Sequence, residues 1–204
     1  MISDADAVRL AAAIYDPASQ WDRRWVGGEP SGIYAGLKDN ALVFRGSACL
    51  EDWMRDFRAF PIRHPLLGGV EKGFMEGLDE FYEDAVDSLS GPTDIVGHSL
   101  GAARACLFAG LMVARQKPLG KIVLFGCPRP GFKQLSDMLA PYPIDNYKNE
   151  GDVVTEVPIP LTPEMPYMHV RGQHIVNVPP TPDDIFDIFA RHHIQLYERG
   201  VAAL

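Results

Sequence analysis

The sequence predicts an α/β fold built around a reactive serine at a strand-to-helix turn, and three observations predict it. Gly97-His98-Ser99-Leu100-Gly101 fits the pattern G-x-S-x-G. Asp94-Ile95-Val96 before it reads as a strand and the alanine-rich run after it as a helix. Around this turn helix, strand, elbow, helix and strand alternate, as in a central, mostly parallel sheet with helices on both faces. The chain must reverse sharply at such an elbow, so small residues flank a serine held at strained backbone angles. Gly97 and Gly101 supply that clearance. The N–H of Leu100, at the start of the helix, points toward the oxyanion that forms if Ser99 attacks a carbonyl.

The elements follow in order. Asp4 to Tyr15 has helical character, and Asp16-Pro17 ends it before an irregular stretch with Trp21 and Trp25, read as packing anchors. Ile33–Leu37 and Ala41–Phe44, separated by Lys38-Asp39-Asn40, form a hairpin whose second strand is apolar enough to be buried. Leu50, Trp53, Met54 and Phe57 fall at helical spacing opposite Glu51, Asp52, Arg55 and Asp56, which predicts a short amphipathic helix. A Pro/Gly-rich loop from Pro61 to Gly73 leads to a second helix through Phe74, Leu78, Phe81, Tyr82, Ala85 and Leu89. Gly91-Pro92 stops it before the elbow strand. Past the elbow helix, Lys121–Phe125, Ile144–Lys148 and His174–Val178 read as strands, and a helix from Asp183 to about Arg199 closes the order.

The 204 residues, 47% hydrophobic and 23% charged, suit a single domain over 1–204 with a substantial core. A net charge of −8 without a basic run disfavours nucleic acid and anionic surfaces as partners. Residues 1–20 lack the basic flank and length of a signal peptide, and no stretch is long enough to span a membrane. Cys49, Cys106 and Cys127 are odd in number, so reduced thiols and a cytoplasmic location are expected.

A serine hydroxyl needs a histidine to take its proton and a carboxylate to orient that histidine. With the order Ser, acid, His that goes with this elbow, the acid belongs at a strand end after residue 125. Asp152 fits best, because Tyr147-Lys148-Asn149 closes a strand and Glu150-Gly151 turns the chain; Asp145 sits inside the strand and fits less well. His192 and His193 are the candidates for the base. Ile185, Ile188, Phe189, His192 and Leu196 share a helical stripe with His192 at its centre, whereas His193 lies nearer the edge, so His192 is preferred.

Between Ala41 and Tyr197 the chain resembles the class 3 lipases, the fungal triacylglycerol lipase-like branch of the α/β hydrolases. The resemblance is carried by an ordered set. Val43-Phe44-Arg45-Gly46-Ser47 is similar to an FRG[ST] strand end, Trp53 to Asp56 to W-x-x-D, and Gly73-Phe74 to the end of H-x-G-F. Gly97 to Gly101 matches GHSLG, Phe125 to Arg129 FGxPR, and Asn149 to Pro158 the acid-bearing N-x-x-D-x-V-x-x-x-P. The resemblance implies an α/β-hydrolase fold and a carboxylester hydrolase working through an acyl-enzyme without cofactor or metal. Its roles are Ser99 as nucleophile, Asp152 as acid, and Ser47 with Leu100 as the oxyanion hole. The run His192-His193-Ile194-Gln195-Leu196-Tyr197 resembles the family's His-Ser-Ile-x-x-Tyr, which again favours His192. Glu71 stands in place of the H-x-G-F histidine and Ala102 in place of a frequent glycine. An acyl ester or lipid substrate and transient contact with a lipid interface follow. A lipase-like acyltransferase and a catalytically silent binding module are the alternatives.

Several remaining residues read as structural. Arg45 and Arg129 sit beside strand ends, where arginines tie loops together; His98 packs beneath the elbow; His64, His169 and His174 lack metal-ligand spacing. The 50–57 helix suits either a mobile lid or a fixed packing element. Pro65-Leu66-Leu67 and the run from Val157 to Pro163 suit either the walls of an acyl pocket or plain loop packing.

Overall fold

Alternate residues of the central strands feed two apolar layers, as the period of two in a strand requires. In this computed structural model, which describes residues 1–27, 32–47, 60–159, 162, 166–181 and 187–204, the elements are as follows. First come α1 (Asp4–Ala13), β1 (Arg23–Val26), β2 (Tyr34–Lys38), β3 (Ala41–Phe44), β4 (Pro61–His64), β5 (Gly68–Glu71), α2 (Lys72–Met75) and α3 (Leu78–Ala85). Then follow β6 (Thr93–His98), α4 (Leu100–Ala114), β7 (Leu119–Phe125), α5 (Lys133–Leu139), β8 (Ile144–Asn149), β9 (Gln173–Val176) and α6 (Ile194–Val201).

One seven-stranded sheet runs in the order β1-β2-β3-β6-β7-β8-β9. From β3 onward the neighbours are parallel, while β1 and β2 are antiparallel at one edge. Val43, Val96, Val123 and Phe125 turn to one face and pack against Ala7, Val8 and Ala11 of α1, Ile14 at its C-cap, and Ile194 and Tyr197 of α6. Leu42, Phe44, Ile95, Ile122 and Leu124 turn to the other, against α3, α4 and α5. Burying a Leu, Ile or Phe side chain on either face contributes about 1.5–3 kcal/mol. The helix α4 is apolar nearly all round, as its burial demands, with residues from Gly101 to Met112 closed off by neighbours on every side but Arg104.

The predicted hairpin forms with Asp39 and Asn40 both at positive φ (48° and 61°), the geometry of a two-residue type I′ turn that matches strand twist. Elsewhere the structure differs from expectation. Trp25 lies in the edge strand β1, which its flanking arginines disguise, and packs edge-on to Phe81 with ring centroids 5.3 Å apart. The Pro/Gly-rich stretch 61–73 is the separate hairpin β4–β5 followed by the start of α2. The helix expected through Phe74 to Leu89 breaks at Gly77, whose φ is +71°. The short α5, with Leu135 and Leu139 its buried apolar contacts, has too few periodic positions to stand out in the sequence.

The C-terminal helix is also shorter than predicted. Among the described residues it begins at Ile194, because His193 is extended (φ −62°, ψ 134°), and His192 ends a 3₁₀ turn over Ala190–His192. Ile188, expected on the buried stripe, is 69% exposed. Residues 182–186 lie outside the described residues, as do Cys49, the predicted 50–57 helix, and Pro160, Leu161 and Pro163 of the proline-rich run. Leu67 belongs to the core, so this part of the 65–67 loop packs inward.

Candidate active site

The strand-to-helix turn between β6 and α4 puts Ser99 at φ 61°, ψ −133°, a conformation that costs a non-glycine residue about 1–3 kcal/mol. Close packing enforces it. A Cβ on Gly101 would lie 2.3 Å from the Phe44 carbonyl oxygen, and one on Gly97 2.4 Å from that of Gly101. The Ser99 N–H donates to the Phe125 carbonyl (3.0 Å), tying the elbow to the end of β7. Its side chain sits at the N-terminus of the fifteen-residue α4, where the backbone N–H groups favour negative charge.

One residue past Phe125, Gly126 has φ +58°, and a Cβ there would stand 2.6 Å from the His192 ring. Glycine therefore lets His192 settle against the same strand end that holds Ser99. The His192 Nδ1–H donates to Asp152 Oδ2 at 2.7 Å, with both side chains almost wholly buried. That bond leaves Nε2 as the ring's acceptor. Among the described residues neither His192 Nε2 nor the buried Ser99 Oγ has a hydrogen-bond partner, so the direct bond between them is not formed. Such bonds are often long before substrate arrives.

Asp152 is held from several sides. Tyr197 O–H donates to Oδ2 (2.5 Å) and Val154 N–H to Oδ1 (3.0 Å). Burial pushes the carboxyl up, but the charge His192 takes on when protonated, with the hydrogen bonds from His192, Tyr197 and Val154, outweighs it. The net effect holds Asp152 below the ordinary carboxylate range. Asn149, fully buried at the end of β8, donates to the carbonyls of Val178 and Arg191 and so anchors the turn that carries His192. The alternatives are placed elsewhere. Asp145 bonds His174 and Lys121 on the strand, and His193 is half exposed, 3.8 Å from Asp187.

Sequence reasoning assigned no role to Tyr15, Asn149 or the Tyr197 hydroxyl. Tyr197 had only its spacing from His192 as a signal, and Tyr15 had none. Glu71 caps α2, accepting from Phe74 N–H (2.8 Å) and Phe60 N–H (3.3 Å). Arg129 pairs with Glu156 (2.6 Å) and donates to the Pro158 carbonyl, and Arg45 lies over the Tyr34 ring at 3.7 Å. Ser47 follows Gly46, the residue that backs Ser99: a Cβ on Gly46 would lie 2.8 Å from the Ser99 Cβ.

His98 is enclosed between Tyr15, just past the end of α1, the Tyr197 ring of α6, and the turn carrying His192, with Asp152 and His193 nearby. Burial, then the neighbouring His192 charge, pulls it down to about 3, so the folded protein keeps it neutral. An unfolded histidine takes its proton near pH 6.5. Stability from this group is therefore present above pH 6.5 and is lost as pH falls toward 3, at up to about 1.4 kcal/mol per pH unit. The expected result is that the urea midpoint falls more steeply between pH 6.5 and 4 in the parent than in His98→Gln. Since His169, drawn down to about 4 by burial, is present in both proteins, the difference isolates His98.

A strained serine at the turn after a parallel central strand, with a carboxylate–histidine pair beyond the following strand ends, defines the α/β-hydrolase class of fold. Among known families the chain matches Lipase (class 3) over residues 41–162, more than half its length, and it belongs to that family. A lipase of Rhizomucor miehei is 30% identical over 133 residues, 57% of this chain and 37% of that protein. The secreted mono- and diacylglycerol lipase A of Penicillium cyclopium is 29% identical over 150 residues, 68% of this chain and 48% of its own. The chain thus spans less than half the length of either relative. The Rhizomucor miehei lipase propeptide complex superposes with a TM-score of 0.70 at 21% identity, covering 85% of this chain and 67% of that one. The cytoplasmic location expected from the N-terminal residues and the cysteine count is overturned by this kinship with a secreted lipase. Among the described residues Cys106 and Cys127 are both free and buried, with their sulfurs 3.9 Å apart. Among the described residues no helix is long and apolar enough to cross a membrane.

Proposed function

We propose that this chain is a serine carboxylester hydrolase, one catalytic unit over 1–204, that cleaves acyl esters of lipids through an acyl-enzyme. The observation that carries this reading is the buried Asp152–His192 pair at 2.7 Å, backed by the strand end that also binds the strained Ser99. Ser99 Oγ attacks the ester carbonyl as His192 Nε2 takes its proton, and Asp152 stabilises the resulting imidazolium. The Leu100 N–H and Ser47 stabilise the tetrahedral oxyanion. His192 returns the proton to the leaving alcohol, and water, activated by the same nitrogen, releases the acid and restores Ser99.

A lipid substrate and a transient interface contact are supported by the kinship with proteins named as lipases. A fluorophosphonate is expected to label Ser99 in the parent, with turnover of esters rising from two-carbon toward longer acyl groups once an emulsion is supplied. A silent binding module would leave the probe unreacted, and an acyltransferase would pass the acyl group to added alcohol in preference to water.

A further inference from the structure

The elbow serine is backed by a polar chain that no step of hydrolysis uses. Tyr15, just past the end of α1, accepts the Gly46 N–H at its hydroxyl oxygen (3.1 Å). The same hydroxyl, kept protonated because burial raises it to about 12, bonds His98 Nδ1 at 2.8 Å. On the far side of the ring, His98 Nε2 lies 2.9 Å from the His192 carbonyl oxygen. A carbonyl only accepts, so Nε2 carries the proton, and a neutral ring must then accept from Tyr15 at Nδ1. The two imidazoles stack with centroids 4.8 Å apart and planes 27° from parallel.

We propose that Tyr15 and His98 are positioning residues that hold the strand end carrying Ser47 and the turn carrying His192 in one fixed frame around Ser99. This rests on the reading of Ser99 and His192 given above. One end of the chain of bonds is the backbone of Gly46, next to the oxyanion donor. The other end is the backbone of His192 itself, and His98, covalently joined to Ser99, stands between. A shift of either strand end would have to stretch a buried or half-buried hydrogen bond of this chain. The His98 ring also stays uncharged under the imidazole that takes the serine proton, so the stack adds no like-charge repulsion during turnover.

The two amides that mimic opposite sides of a histidine separate this role from plain packing. His98→Gln places a donor near Nε2 and keeps the bond to His192, whereas His98→Asn places its amide near Nδ1 and keeps only the side toward Tyr15. Measured as kcat per active site titrated with a fluorophosphonate, His98→Gln is expected to stay within about fivefold of the parent. His98→Asn is expected to fall about 10²-fold with KM nearly unchanged, the cost of a misplacement near 1 Å. Tyr15→Phe, which keeps the ring and so the packing, is expected to lower kcat about tenfold at unchanged KM, since it removes one hydrogen-bonding group at each of two contacts. Equal kcat values for the two amides, or a Tyr15→Phe enzyme with parental kcat and only a lower melting temperature, would overturn the proposal. Hydrolysis surviving in Ser99→Ala would instead show that the site itself had been misassigned.

Discussion

Replacing Ser99 with alanine is expected to lower kcat for a p-nitrophenyl ester by about 10⁶-fold while leaving the melting temperature equal to the parent's or higher. The size follows from triads that act as a unit, where loss of the nucleophile costs nearly as much as loss of all three members. What remains comes from donors that do not need the serine, here the proposed oxyanion donors Leu100 N–H and Ser47. The stability half of the expectation comes from geometry. Ser99 Oγ is buried without a hydrogen-bond partner, so deleting it removes an unsatisfied group and no bond. The strain at φ 61° stays, because alanine also carries a Cβ. Turnover within tenfold of the parent would remove Ser99 from the mechanism.

The second large effect separates two adjacent residues. His192→Ala is expected to cost about 10⁶-fold in kcat, again because the triad fails as a unit. It also strips Asp152 of a charge-assisted hydrogen bond, leaving Tyr197 and Val154 to satisfy that carboxylate. His193→Ala is expected to stay within a few-fold of the parent. Its ring is half exposed and its nearest carboxylate is Asp187 at 3.8 Å, a surface pair of small energy. Steady-state kinetics on one soluble ester reads both variants, and the reverse ranking would move the base to His193.

The unequal legibility of the sequence has physical causes. The elbow could be read because backbone clearance at Gly97 and Gly101 is a local demand that local residues must meet. The buried strands could be read because apolar runs in a parallel sheet have few other uses. Asp152 could be proposed from a strand end and a turn, both local. The histidine was reached partly through a helical stripe that the described residues do not continue, since Ala190–His192 form a 3₁₀ turn, His193 is extended and Ile188 is exposed. Its spacing to Tyr197 was the sounder signal, because that tyrosine donates to the same carboxylate as His192. The hairpin β4–β5 was hidden by its glycines and proline, which read as loop. Tyr15 was hidden for a different reason: its partners lie on β6 and past β3, and no local pattern announces a contact made across 83 residues.

Those separations bear on when the proposed site is complete. The bonds that assemble the site join residues 94, 83 and 40 positions apart, so none can form within a short nascent segment. Contacts of this kind are paid for in loop-closure entropy and form late. During synthesis Ser99 leaves the ribosome long before His192, and until the last turn docks on β7 and β8 the serine has no base beside it. On the proposed reading of the triad, the elbow can therefore exist in folding intermediates without hydrolysing anything, and hydrolysis begins only once the turn carrying His192 has docked.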